Sequence, residues 1–218
     1  MNNLCKKGGS KLDYIDVYEL SELPELNGNY RYMDFLGGTK QFRCYVVQKE
    51  LPRCLFMENH RKELDEILQP IYMDEDICIS QDASYALPGF YIVSFRKHYT
   101  NINDLDMQMF MKLSCWTKEI RNAMKNALNL EYVNIYYEEK TSKSANVHYW
   151  LMPVETINGE VPKLHFFPIK TYLENFSLKD NYEKIKKYNN IMRKYIEDKN
   201  IREKIEKVLR SDISEKQS

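Results

Sequence analysis

Residues 132–153 read YVNIYYEEKTSKSANVHYWLMP, and this stretch decides the fold. Two runs of strand formers, Tyr132 to Tyr137 and Val147 to Met152, flank a polar loop, Glu138 to Ala145, and Pro153 ends the second run. Strands joined by so short a loop pair as antiparallel neighbours, because a parallel pair needs a long crossover. Immediately upstream, residues 104–128 predict the clearest helix of the chain. Phe110, Leu113, Trp116, Ile120, Met124 and Leu128 recur at helical spacing, while Lys112, Lys118, Arg121 and Lys125 face elsewhere, and Asn103 is the expected cap. Upstream again, Ile77 to Ile79 and Phe90 to Phe95 read as strands, separated by Gln81 to Gly89 with its Pro88-Gly89 turn. The order strand, strand, long helix, strand, loop, strand predicts an α+β architecture rather than a doubly wound parallel sheet.

Outward from this centre the signals weaken. Phe42 to Val47 is rich in strand formers, and Cys54 to Met57 is expected to pair with it. Asn59 is placed to cap a helix reaching Leu68, with Glu63 reaching back, and Pro70 stops it. The stretch before Thr39 mixes Tyr and Leu with Gly, Pro and Asn and takes no firm assignment, and residues 1–12 show no pattern. From Ser177 the chain is helical and heavily charged. Ser177 and Asp180 suggest a capping box, Tyr182, Ile185, Tyr188 or Asn189, Met192 and Tyr195 form one apolar stripe, and Asp198-Lys199-Asn200 interrupts it before Ile201, Ile205, Val208 and Leu209. The chain thus divides into an N-terminal extension (1–40), a central domain (41–170) and a C-terminal helical extension (171–218).

The 218 residues suit one domain with appendages, and a hydrophobic share of 43% is enough for a core. Lys+Arg and Asp+Glu balance at 32 each, so no global field draws the protein onto nucleic acid or anionic lipid. A polymeric nucleic acid is therefore not an expected partner, whereas a small nucleotide is compatible. No apolar run approaches the roughly 20 residues of a membrane helix, and Met1 to Ser10 lacks a signal-peptide centre, so no membrane association is expected. The five cysteines (Cys5, Cys44, Cys54, Cys78, Cys115) are scattered and never form a C-x-x-C pair. Reduced thiols in a cytoplasmic protein account for that, and a structural zinc site does not.

Chemistry-bearing residues are few. Of the four histidines, His60 sits in a polar helix start and reads as solvated, and His165, in Leu164-His165-Phe166-Phe167, reads as a packing residue. His148 opens an apolar strand just after a loop holding Thr141, Ser142, Lys143 and Ser144. Alternation puts Asn146, His148 and Trp150 on one face of that strand. A neutral imidazole there can attack phosphorus, with the hydroxyls and Lys143 holding the non-bridging oxygens.

The strand Asn146-Val147-His148-Tyr149-Trp150-Leu151-Met152-Pro153 resembles the histidine-triad (HIT) signature His-φ-His-φ-His-φ-φ, in the branch reading His-φ-His-φ-Trp-Leu-φ-Pro. A second block agrees: Asp82, then Pro88-Gly89-Phe90-Tyr91-Ile92-Val93, then Arg96-Lys97-His98, in the family's order around one long helix. The resemblance covers roughly residues 42–153 and implies an antiparallel HIT-like sheet with one long central helix. It implies His148 as the nucleophile, Asp82 as acceptor for ribose hydroxyls, Ile79 and Phe90 flanking the base, and Ser142 or Ser144 on the phosphate. Asp82 also reads as an acid that shapes a turn, and His98 as a strand-end residue. The first signature histidine is Asn146 here, which can hydrogen-bond but cannot titrate.

By that resemblance the protein would hydrolyse or transfer nucleotides through a nucleotidyl-histidine, on a dinucleoside polyphosphate or nucleoside phosphoramidate. The alternative is a catalytically impaired HIT-like protein that binds nucleotides. The covalent step requires no metal cofactor, Mg²⁺ can accompany the nucleotide, and a homodimer joined through its sheets is expected. A metal-dependent hydrolase using His98, His148 and His165 is a rival that the spacing does not recommend.

Overall fold

The computed structural model describes residues 14–17, 30–35, 42–46, 66–82, 85–96, 99, 101–137, 147–156, 160–161, 168–176 and 178–215. Its elements form two antiparallel sheets and a set of helices. Strands β1 (Tyr14–Val17), β2 (Tyr30–Phe35) and β3 (Phe42–Val46) make a three-stranded sheet in the order β1-β3-β2. Phe42 to Val46 is thus a strand, as its residues suggest, and both of its neighbours come from the segment that took no assignment. In sequence, β1 and β2 precede residue 41 and β3 follows it. The expected strand Cys54 to Met57, and the helix from Asn59 except for a 3₁₀ turn at Glu66–Leu68, lie outside the described residues.

The second sheet carries His148. It contains β4 (Tyr72–Met73), β5 (Ile77–Gln81), β6 (Tyr91–Phe95), β7 (Val133–Tyr137) and β8 (His148–Pro153) in the order β4-β5-β6-β8-β7, with every pair antiparallel. The two strands of the deciding stretch are neighbours, pairing Val133 with Pro153 and Tyr137 with Tyr149. The fold is α+β, as the element order predicts.

Helix α1 (Met107–Leu128) carries the expected stripe: Leu113, Trp116, Ile120, Met124 and Leu128 are buried. Its cap is a correction. The N-cap is Asp106, whose carboxylate accepts from the Met109 N–H at 2.8 Å. Asn103 sits instead inside a 3₁₀ turn, Ile102–Asp104, that has its own capping box on Asn101 and Asp104. At the other end Asn129 takes the left-handed conformation (φ 56°) that closes a helix.

After β8 come α2 (Pro168–Glu174), α3 (Leu178–Asp198) and α4 (Ile201–Glu215). The sequence break between the two long helices falls where expected, with Asn200 left-handed at φ 46°. Ile185 and Met192 are buried, Asn189 is the buried choice over Tyr188, and Ile201, Ile205 and Leu209 are buried while Val208 is 45% exposed. The buried residues Met192, Ile196, Ile201, Ile205 and Leu209 join those of α1 and the α1-facing side of the sheet in one hydrophobic cluster. The C-terminal hairpin therefore lies on the helix side of the molecule. Burying that many aliphatic side chains, each contributing about 1.5–3 kcal/mol, is what fixes it there. Among the described residues, no helix is long and apolar enough to cross a membrane.

Candidate active site

The sheet has two faces, and strand alternation assigns each residue to one of them. Tyr91, Val93 and Phe95 of β6, and Tyr149 and Leu151 of β8, face α1 and belong to or pack against its cluster. The opposite face presents Ile92 and Ser94 from β6 and His148, Trp150 and Met152 from β8. Cross-strand register sets Ser94 beside His148 and Ile92 beside Trp150. Tyr136 of β7 stands across from Trp150 on its other side.

His148 is half-buried rather than enclosed in the core. Its ring lies 5.7 Å from that of Trp150, tilted by 44°. Trp150 in turn takes Phe90 edge-on at 5.9 Å. The row His148, Trp150, Phe90 is therefore one aromatic track along the face away from α1. At its far end Leu87, Phe90, Met152, Val154, Tyr172 and Leu173 form a second buried cluster, which α2 helps to close.

The remaining residues singled out by sequence divide into three groups. Asn146, Ser142, Lys143 and Ser144 lie outside the described residues, as do His98 and His165. Phe90 is on the His148 side of the sheet, but fully buried. Ile79 is fully buried too, and its pairing with Val93 places it on the α1 side, away from His148. Ile92, half-buried and across from Trp150, is the aliphatic side chain on the His148 face that sequence reading passed over. The alternation within Phe90 to Phe95 carried that signal.

Asp82 is 6% exposed, and its Oδ1 accepts from the Tyr85 N–H at 3.1 Å. The turn-shaping role is thus present in the structure. The residue before it had no assigned role, yet it ties down Leu87 and Gly89. Gln81, 2% exposed, donates from Nε2 to the Leu87 carbonyl (2.8 Å) and accepts at Oε1 from the Gly89 N–H (3.2 Å). The loop closes further through Asp82 N–H to Phe90 O (2.7 Å) and Phe90 N–H to Leu87 O (3.2 Å). Gly89, at φ +82°, is packed so closely that a Cβ would meet Leu130 at 2.9 Å.

Two cavities, of about 410 and 330 Å³, lie elsewhere. The larger backs onto the same loop through Leu87 and Pro88, and the smaller sits at the junction of α3 and α4. Neither is lined by His148, and the segment 138–146 that leads to it lies outside the described residues. Among the described residues no group of three or more His, Cys, Asp or Glu is placed to hold a metal ion.

No protein-family profile matches the sequence, and no curated protein matches it. Solved structures do resemble the fold. A hypothetical histidine triad nucleotide-binding protein from Sulfolobus tokodaii is 21% identical, with a TM-score of 0.46, over 66% of this chain and 93% of that one. A zinc-bound histidine triad family protein from Mycobacterium smegmatis is 17% identical, with a TM-score of 0.47, over 66% and 95%. A HIT family member from Bacillus subtilis is 16% identical, with a TM-score of 0.39, over 56% and 89%. What this chain does has to be read from its own residues.

Proposed function

We propose that the protein is a HIT-like nucleotide hydrolase or nucleotidyltransferase that works through a covalent nucleotidyl-His148. The observation that carries this reading is the position of His148. It opens β8 on the sheet face away from α1, half-buried and beside Trp150, within the quoted signature strand. An imidazole fixed on a strand keeps its orientation, which is what a nucleophile needs for in-line approach.

In the first step the Nε2 lone pair forms a bond to the α-phosphorus. The bond from phosphorus to the leaving oxygen or nitrogen breaks, and the leaving group departs with the electron pair and takes a proton from solvent. Nδ1 keeps its hydrogen, so the ring carries the positive charge of the adduct. In the second step water, or another phosphorylated acceptor, attacks phosphorus. The P–N bond breaks, Nε2 regains its lone pair, and the acceptor's proton is released. The serines at 142 and 144 and Lys143 are assigned to the phosphate oxygens, Asp82 to the ribose, and Phe90 to the base side; Ile79, buried on the α1 side of the sheet, drops out of that assignment. Ile92 is added to that side on its position beside Trp150. Asn146 is assigned a hydrogen bond near the phosphate without proton transfer. Mg²⁺ enters only as a companion of the nucleotide, and the partner is a small nucleotide.

The test is mass spectrometry of the protein after incubation with dinucleoside polyphosphates and nucleoside phosphoramidates bearing each of the common bases. A nucleotidyl mass added to the His148 peptide, and lost in His148→Ala, supports the enzyme. Nucleotide binding without an adduct or turnover would move the assignment to the impaired binding protein, the reading that Asn146 favours.

A further inference from the structure

We propose that Gln81 is a positioning residue for the nucleotide site. Its buried carboxamide ties Leu87 and Gly89 to the end of β5 and so sets Phe90 against Trp150 on the His148 face, and this assignment rests on the nucleotide reading above. The residue lies on β5 with its side chain directed into the loop that follows. From there one amide reaches both arms: its N–H donates to Leu87 O at 2.8 Å and to Asp82 O at 3.4 Å, and its oxygen accepts from Gly89 N–H at 3.2 Å.

Those three bonds make a chemical demand. The side chain must offer a donor and an acceptor at the same end, at glutamine length. Glutamate supplies only acceptors when ionised, so its second oxygen would face the Leu87 carbonyl oxygen with no hydrogen between them. Leucine would take the acceptor from the buried Gly89 N–H and one of two donors from the Leu87 carbonyl, which keeps the Phe90 N–H, at a cost comparable to one lost hydrogen bond. Gly89 adds a second constraint, since its positive φ of 82° is a conformation that residues with a side chain rarely adopt. The consequence runs by direct contact. Gly89 precedes Phe90, Phe90 meets Trp150 edge-on at 5.9 Å, and Trp150 lies 5.7 Å from His148.

A protonated glutamate has the shape and donor of glutamine. Gln81→Glu therefore gives a readout that a purely structural residue would not, namely rescue by acid. Burial raises a carboxyl pKa, which brings that rescue into an accessible pH range.

Isothermal titration with the nucleoside monophosphate of a four-base panel that the wild type binds most tightly is the assay. At pH 8 we expect Gln81→Glu and Gln81→Leu each to weaken binding about tenfold, the effect of one lost buried hydrogen bond. As pH falls toward 5, the gap between Gln81→Glu and wild type should close, while that of Gln81→Leu should not. In parallel, hydrogen exchange at the Gly89 amide should be protected in the wild type and should become pH-dependent in Gln81→Glu. Wild-type affinity in both variants at pH 8, or a gap in Gln81→Glu that ignores pH, overturns the assignment. A wild type that binds no nucleotide overturns the reading of the site, and the positioning role falls with it. Gly89 protection unchanged in all three proteins refutes the loop mechanism alone.

Discussion

Arg193 is the residue whose removal should be felt most beyond its own helix. Its guanidinium, on α3, donates from Nε to Pro70 O (3.2 Å) and from Nη2 to Glu66 O (3.1 Å) and Gln69 O (2.9 Å). Nη1 donates to Asn190 Oδ1 at 2.7 Å. Three carbonyls of one turn thus converge on one fork, next to Ile67 and Ile71, which are 2% and 4% exposed. A hydrogen bond to a charged group contributes about 1.5–3 kcal/mol, but these share one side chain and the turn is only partly buried, so water replaces some of them. We expect Arg193→Ala to cost about 2–4 kcal/mol. For a chain of this size that lowers Tm by about 5–15 °C. Arg193→Lys keeps the charge but not the planar fork, and should recover no more than about half of the loss. Thermal unfolding by circular dichroism measures the cost. Hydrogen exchange at the Ile71 amide, which bonds to Ile79 O at 2.8 Å, reports whether the turn opens locally. If both variants unfold within about 0.5 kcal/mol of wild type, the fork is ornamental and α3 is held by its apolar face alone.

Three further outcomes are expected. Gly89→Ala combines a strained φ with the 2.9 Å approach to Leu130, and chemical denaturation should register a loss of about 1–3 kcal/mol. Hydrogen bonds from Asn190 and Lys186 hold the Glu66 carboxyl below its ordinary 4.5. A depressed carboxyl stabilises the fold above its unfolded pKa, and that contribution disappears as pH falls through the lower folded value. Glu66→Gln should therefore be slightly less stable than wild type at pH 7, and denaturation curves of the two should converge as pH drops below 4.5; a gap unchanged at low pH would contradict the assignment. The effect is small because the Glu66 side chain is 38% exposed. Finally, β7 is an edge strand with Ile135 46% exposed, and we expect it to be where a homodimer joins its sheets. Light scattering should give twice the 26.2 kDa chain mass, falling to one chain in Ile135→Lys; a wild-type monomer removes the dimer from consideration.

What was legible in the sequence, and what was not, follows from where each signal is stored. The stripe on α1 and the pairing of β7 with β8 were readable because helical period and a short loop are local facts. The cap of α1 was not. Asn101, Asn103, Asp104 and Asp106 crowd one short segment, each able to cap, and only the backbone decides: the structure uses Asn101 and Asp104 for a 3₁₀ turn and Asp106 for the helix. The side of Ile79 was hidden for a different reason. All five residues of β5 are buried, so the strand has no alternation to read, and its faces emerge only from the pairing of Ile79 with Val93. β3 shows the same limit at larger scale, since strand formers announce a strand but not its partners. Gln81 is the sharpest case. Its amide serves residues six and eight positions later, a relation that no period expresses, and the Pro88-Gly89 turn that makes it necessary is legible only as a turn. His148 stood out because two kinds of signal met on it, a local alternation and a motif. Trp150 beside it carried the same two, whereas Ser94 and Ile92 are brought next to them only by the pairing of β6 with β8.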